Sequence, residues 1–288
     1  MKLSKRSSAI QLLSKNEKYL ECPLCRSGIR ITQNGSLLCE TGHNFDISSK
    51  GYVNFVNSNK KTAYERDLFF SRKEIFRLGY YDAVSEKLCH IINELTADQA
   101  CINILDVGCG EGFYSYRIGR DPVLSRKCGL FGVDLSKEAI NLATQYESEV
   151  IWCVADLVKL PLSTNSMDII IDVLTPANYS EFKRVLKNNG YLIKVIPGRD
   201  YLREIRDLMA PQLIHKEYTN KETTEYTERN IKIDSRVLLD YKIPVKSEEI
   251  MHWLTMTPMA YGKKTDYVFD NLPDYITVQL EIIAGKIS

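Results

Sequence analysis

Four side chains near the start of the chain have the types and spacing of a metal shell: Cys22 and Cys25, two residues between them, and then Cys39 and His43. A CxxC pair forms a tight knuckle whose backbone amides support the thiolates, and Gly35 marks a hairpin tip that returns the chain to the second pair. Three thiolates and one imidazole close a tetrahedral zinc shell. With no position left for water or substrate, such an ion is structural and supplies folding free energy rather than Lewis acidity. A chance CxxC beside a core histidine would have to explain four soft ligands within one short stretch.

A second constellation starts at Ile102, where INILDVGCGEGFYS runs an apolar strand into a glycine-rich turn. A dinucleotide fingerprint would place glycine at 108, 110 and 113, but here the third glycine is Gly112 and the next residue is Phe113. Glu111 would repel a pyrophosphate at a helix start, whereas a ligand carrying a sulfonium and an ammonium suits it. That ligand is S-adenosylmethionine. Asp106, Gly108, Gly110, Glu111 and Gly112 are the donor contacts expected from the turn. Asp134 ends the second strand and is placed to accept the ribose hydroxyl protons. Asp156 ends the third and could take the adenine amino group, with Leu135 and Leu157 packed on the ring.

The elements that must position these groups alternate strand and helix. Ile102–Val107, Leu130–Asp134, Val150–Ala155, Asp168–Leu174 and Tyr191–Ile196 are short β-branched runs, separated by helical patterns such as KEAINLATQY, which Ser136 caps, and SEFKRVLK. The rhythm predicts an α/β fold, a parallel doubly wound sheet with its ligand crevice at the carboxyl ends of the strands. Upstream, the apolar positions from Phe69 to Leu88 predict one or two amphipathic helices broken near Gly79. Ile29, Ile31, Leu37 and Leu38 read as strands of a zinc ribbon. Domain boundaries follow: residues 1–56 a zinc module, 57–64 a polar linker, 65–288 the catalytic body. Read as a tethered module, the ribbon should be separable, so that losing Cys39 releases zinc and leaves donor binding largely intact. Met251, Trp253, Leu254 and Met256 form an apolar helical face that reads as core, while His215 and His252 lack partner ligands nearby in sequence.

The chain has 288 residues, 44% of them hydrophobic, ample for one large core and a small appended module. No window approaches a membrane span and the N-terminal run AIQLL is too short for a secretory signal, so the expected address is cytoplasmic, with no membrane partner. Cys89, Cys101, Cys109, Cys128 and Cys153 are scattered rather than paired and are expected to be reduced. Net charge is +1, divided unevenly: ten lysines and arginines face four acidic residues in the first 62 positions, a net of +6, and the remainder is −5. A basic module on a mildly acidic body fits one part that grips a polyanion and another that does chemistry. Lys50, Lys60 and Lys61 are plausible phosphate contacts, although a solvated basic face would look the same.

CPLC, then CETGHNFDISSKGYVNF, SRKEIFRLGYYDAV, ILDVGCGEGFYS and finally Met256-Thr257-Pro258 stand in an order that resembles the 23S rRNA (guanine-N1)-methyltransferases called RlmA, which include macrolide-resistance members. The resemblance spans nearly the whole chain. It implies a class I (Rossmann-like) S-adenosylmethionine-dependent methyltransferase domain behind an N-terminal zinc-ribbon domain that helps hold a domain II hairpin of 23S rRNA, and it adds Tyr81 and Tyr201 to the donor contacts. At Tyr201 relatives can carry His. A homodimer is the expected assembly, since one small basic module has a limited grip on a structured hairpin. Guanine N1 bears a proton at neutral pH, so a base or a water must remove it. That work is expected in the segment Asp172–Glu181, beyond the fourth strand. Asp172 is a candidate base or a strand residue held in an ion pair; Asn178 and Tyr179 could bind or stack on the guanine, or form an ordinary helix start with Asn178 as cap. Two rivals predict different behaviour: a small-molecule N- or O-methyltransferase would turn over without RNA, and a non-catalytic zinc-dependent RNA-binding protein would not bind the donor.

Overall fold

A computed structural model describes residues 3–32, 34–56, 66–210, 219–257 and 272–288. The expected linker, Lys60, Lys61, His215 and Pro258 lie outside these residues. The chain opens with α1 (Lys5–Lys15), capped by Ser4, whose hydroxyl accepts from the Ser7 amide; Leu13 is its buried contact. An antiparallel ribbon follows, β1 (Ile29–Ile31), β2 (Ser36–Cys39) and β3 (Asn44–Asp46). Gly35, at φ +73°, makes the turn between its first two strands. After β4 (Tyr52–Asn54) come α2 (Arg66–Arg77) and α3 (Asp82–Leu95), separated at Gly79 as the apolar spacing predicts.

The catalytic body then runs β5 (Ile102–Val107), α4 (Phe113–Arg120), β6 (Cys128–Asp134), α5 (Lys137–Ala143), β7 (Val150–Val154), β8 (Met167–Val173), α6 (Tyr179–Val185) and β9 (Leu186–Pro197). It closes with α7 (Arg203–Met209), α8 (Lys221–Asn230), β10 (Ile231–Pro244), α9 (Ile250–Thr255) and β11 (Tyr275–Ile287). The strands form one sheet in the order β10-β11-β9-β8-β5-β6-β7-β4. β4 through β9 are parallel neighbours, and β11 is inserted antiparallel between β9 and β10. That reversed strand, paired along its length with β10 although α9 lies between them in the chain, is the topological mark of a class I methyltransferase sheet.

Strand alternation gives the sheet two buried faces. Ile102, Ile104, Ile169, Ile171, Ile193 and Val195 pack toward α3, α4, α7 and α9. Leu105, Val107, Ile170 and Leu192 pack the other way, in a core that also contains Leu13, Ile29, Leu37, Phe45 and Phe55 of the N-terminal region and Phe182 of α6. The zinc module is therefore not a tethered appendage. β4 adds to the sheet itself, pairing Tyr52 with Trp152, Val53 with Cys153 and Asn54 with Val154, and the Phe55 amide donates to the Val154 carbonyl at 2.9 Å. The outer edge of β7 would otherwise present unpaired backbone groups, and the module satisfies them while burying its own apolar face.

Candidate functional site

The zinc ligands converge: the donor atoms of Cys22, Cys25, Cys39 and His43 all lie within 4.8 Å of one another. Cys25 Sγ is 3.7 Å from Cys39 Sγ, and His43 Nδ1 is 3.5 Å from Cys22 Sγ and 3.4 Å from Cys39 Sγ. Bond lengths of about 2.3 Å to sulfur and about 2.0 Å to nitrogen produce tetrahedron edges of about 3.5–3.8 Å; the three contacts of 3.4–3.7 Å match those edges, and the remaining pairs, within 4.8 Å, need only a small inward shift to close on zinc. The surroundings favour thiolates at two of the three cysteines. Hydrogen bonds from Ser27 and Thr41 bring the Cys25 thiol down to about 7. At Cys39 burial acts upward, but bonds from the Thr41 hydroxyl and the His43 amide outweigh it and bring the thiol to about 5. Burial pushes Cys22 up to about 11, and its ionisation must come from the metal. All eight cysteines of the chain are free.

Past β5 the backbone enters the left-handed region at every second residue: φ is +64° at Gly108, +56° at Gly110 and +85° at Gly112. A Cβ at 108 would fall 2.3 Å from Thr175 Oγ1, and one at 112 would fall 2.6 Å from Trp152. Glycine is required there on both counts. α4 begins at Phe113, which stacks on Phe76 of α2 at 4.4 Å. The turn gathers carboxyls. Asp106 accepts from Ser115 Oγ at 2.7 Å. Asp134 accepts from the Gly110 amide at 2.9 Å and the Ser136 amide at 2.7 Å, one on each oxygen, which fixes the carboxylate plane and leaves lone pairs for two hydroxyl donors. Glu111 is 1% exposed, and its Oε2 has no hydrogen-bond partner among the described residues. Burial raises all three: Asp106 to about 7, Glu111 to about 7, and Asp134 above the usual carboxylate range.

The buried, unpartnered Oε2 of Glu111 beside the glycine turn leaves an acceptor for a ligand, and the sulfonium and ammonium of S-adenosylmethionine suit it. Around them Tyr81 is buried and shares a 2.7 Å hydroxyl contact with Tyr201, so these two residues, 120 positions apart, do meet. Tyr114, absent from the sequence-based set, is buried with its hydroxyl unpartnered among the described residues, and burial, with Tyr201 beside it, holds its phenol well above the usual range. A tyrosine two residues into a helix reads as core from sequence, and only the orphaned hydroxyl marks it. Arg72 likewise carries no local sequence signal. It reaches from α2 over Gly110, 3.7 Å from where a Cβ would stand, and donates to the Met256 carbonyl at 3.3 Å. At the ends of β6 and β7, Leu135 and Leu157, expected to pack on the adenine, are half-buried, and Asp156 accepts from the Val158 amide at 3.0 Å.

The segment expected to carry the methyl-acceptor chemistry is differently employed. β5 and β8 are in register with Asp106 beside Ile171 and Val107 beside Asp172, so Asp172 faces the opposite side of the sheet from Asp106. Its side chain is fully buried, with Oδ2 2.9 Å from Nζ of Lys194 on β9. Burial raises its carboxyl to about 6 and Lys194 opposes the rise. Asp172 is thus held in an ion pair on the face of the sheet opposite Asp106. Asn178 caps α6, its Oδ1 accepting from the Glu181 amide at 3.2 Å. Tyr179 is buried and donates to Thr227 Oγ1 at 3.1 Å, so its ring face is taken up by packing rather than offered for stacking. Lys50 is exposed in the turn before β4. Ser71 Oγ lies 3.3 Å from His252 Nδ1; Trp253, Leu254 and Met256 are buried core as the apolar face predicts, but Met251, at the other side of the short helix, is 42% exposed and is not core.

A sheet with one reversed strand near its edge and an alternating-glycine turn lined by buried carboxyls defines a class I methyltransferase that uses S-adenosylmethionine. Residues 98–257 match the family described as "Methyltransferase domain", and residues 20–63 match "RlmA, N-terminal", a zinc ribbon. The Bacillus subtilis (strain 168) protein named "Putative 23S rRNA (guanine-N(1)-)-methyltransferase YxjB" is 34% identical over 271 residues, 92% of this chain and 95% of that one. The 23S rRNA (guanine(748)-N(1))-methyltransferase of Streptomyces fradiae is 30% identical over 195 residues, 67% of this chain and 68% of that one. The chain belongs to this family of 23S rRNA guanine-N1 methyltransferases. Similarity to the malonyl-[acyl-carrier protein] O-methyltransferase of Hahella chejuensis, 33% over 100 residues, covers only 32% of the chain.

Proposed function

We propose that this protein transfers the methyl group of S-adenosylmethionine to N1 of a guanine in a domain II hairpin of 23S rRNA. The observation that carries the reading is the packing of the closed Cys3His ribbon onto the sheet that carries the carboxyl-lined glycine turn, with β4 joining that sheet directly, together with whole-length likeness to relatives named for this reaction. The donor arrives activated, so the chain's task is alignment. Asp134 and the Gly110 amide position the ribose, Glu111 faces the cationic end, the Tyr81–Tyr201 pair closes the methionine side, and Asp156, Leu135 and Leu157 hold the adenine. Proton loss from N1 is left to water or to a group near this mouth, with Asp172 and Lys194 as its framework. The basic N-terminal module, Lys50 included, supplies phosphate contacts, and two copies of the chain would double that grip.

The test is methyl transfer from labelled S-adenosylmethionine to 23S rRNA lacking its modifications, with nucleoside analysis and primer extension. The expected product is 1-methylguanosine at one position of a domain II hairpin. Unlabelled RNA and ribosomal particles, with donor bound and zinc present, would redirect attention to a small-molecule acceptor.

A further inference from the structure

The loop that follows β7 carries Asp156 and Leu157 and takes hydrogen bonds from the N-terminal module and from α6. The Phe55 amide caps the last β7 carbonyl, and the Ala155 amide donates to the Asp134 carbonyl at 3.0 Å. Further along, the Glu21 amide donates to the Pro161 carbonyl at 3.2 Å, and the Ser163 amide to the Tyr19 carbonyl at 2.9 Å. Between these clamps stands Arg26, the residue after the CxxC knuckle. It sits at φ +64°, a left-handed conformation that a side chain of its size rarely adopts, with its amide donating to the Cys22 carbonyl at 2.8 Å. From there its guanidinium donates to the Leu160 carbonyl at 3.3 Å and to Glu181 Oε1 at 3.2 Å. Glu181, 7% exposed, accepts from the Leu160 amide at 2.8 Å. Arg184 completes the bracket, donating to Glu181 at 2.8 Å and to the Leu162 carbonyl at 2.8 Å.

Both backbone polar groups of Leu160 are thus tied to a charged network one residue from a zinc ligand. Zinc would hold the knuckle, and with it the direction of Arg26, which shares the Leu160 carbonyl with Arg184, donating at 3.2 Å, while Glu181 takes the Leu160 amide. We propose that Arg26 is a positioning residue that couples zinc occupancy to donor binding, so that the ribbon shapes the adenine side of the donor site in addition to any contact with RNA. The inference rests on the donor-site reading for Asp156 and Leu157, and it reverses the expectation that the ribbon can be lost with donor binding intact.

The test uses the full chain, with S-adenosylmethionine affinity measured by calorimetry, metal content by elemental analysis, and amide hydrogen exchange across residues 155–163. Arg26→Ala is expected to keep one zinc per chain, weaken the donor about tenfold, as for loss of a charged hydrogen-bond anchor, and speed exchange within 155–163. Arg26→Lys, which retains charge but not the forked donor geometry, should recover part of the affinity. Removing zinc with a chelator should reproduce the exchange signature. Wild-type affinity and exchange in Arg26→Ala, while Asp156→Asn weakens the donor, would overturn the coupling and leave the donor reading standing. Wild-type affinity in Asp156→Asn would instead remove the adenine assignment, and the coupling with it. Faster exchange spread over the whole sheet with normal donor affinity would show a merely structural role for Arg26 and would also overturn the proposal.

Discussion

Three carboxyls share the glycine turn, and burial raises each of them, Asp106 and Glu111 to about 7. Asp106 and Glu111, both raised to about 7, bind protons in the folded chain across the range where an unfolded chain has released them. Their contribution to stability is therefore present at low pH and lost as pH rises through about 7. A cationic ligand acts the other way, favouring the ionised form, so donor binding and proton release are linked. Affinity for S-adenosylmethionine should rise between about pH 5.5 and about 7.5, with protons released on binding. Calorimetry in buffers of different ionisation enthalpy measures both, and Glu111→Gln should flatten the dependence. Asp134→Ala should weaken the donor by about 1–3 kcal/mol, since two backbone amides lose their acceptor along with the ribose; an unchanged Kd would place the ribose elsewhere. Asp134 and Glu111 are legible in sequence because a strand end and a glycine turn define where they stand. Tyr114 and Arg72 are not, because their role depends on which helices arrive over the turn.

Among the elements, β8 and β9 carry the one assignment that the structure redirects most clearly. Lys194 and Asp172 are register partners in adjacent parallel strands, buried together beneath α6. Removing one member leaves the other as an uncompensated buried charge. Asp172→Ala should therefore lower stability by about 3–5 kcal/mol, read from denaturant unfolding. The double substitution Asp172→Leu with Lys194→Met should recover most of that loss, and its methylation rate separates a framework pair from a catalytic base: a normal rate with restored stability fits the framework. The strand pattern in the sequence places β5 to β9 well because each is a short β-branched run between helical segments. It extends α6 beyond its true end, since Leu186 and Lys187 satisfy helical spacing yet pair into β9. It misses α1, whose polar face hides a single buried leucine.

For the whole molecule, the decisive fact is that the ribbon and the sheet share a core. Phe45 and Phe55 from the N-terminal region, with rings 4.8 Å apart, pack in the same cluster as Phe131, Ile151 and Phe182. Zinc binding free energy therefore stabilises the entire chain rather than a detachable module. Cys39→Ala should release zinc and lower the midpoint of one cooperative thermal transition, as followed by both far-UV dichroism and tryptophan fluorescence. Two separate transitions, with the second at the wild-type temperature, would restore the picture of a tethered ribbon. Among the described residues no helix is long and apolar enough to cross a membrane.

The zinc ligands, the glycine turn and the strand-end aspartates are determined by the sequence itself, because each depends on local spacing: a knuckle needs CxxC, a left-handed turn needs glycine, and a β-strand ends where its apolar run ends. What Asp172 and Tyr179 do was decided only by tertiary structure. A one-residue step along a strand moves a side chain to the other face, and which face meets the donor depends on how the sheet is covered. The same holds for the ribbon. Nothing local in Tyr52-Val53-Asn54 says that it will continue a sheet whose nearest strand lies about a hundred residues away, because edge pairing is settled by which backbone groups the fold leaves unsatisfied.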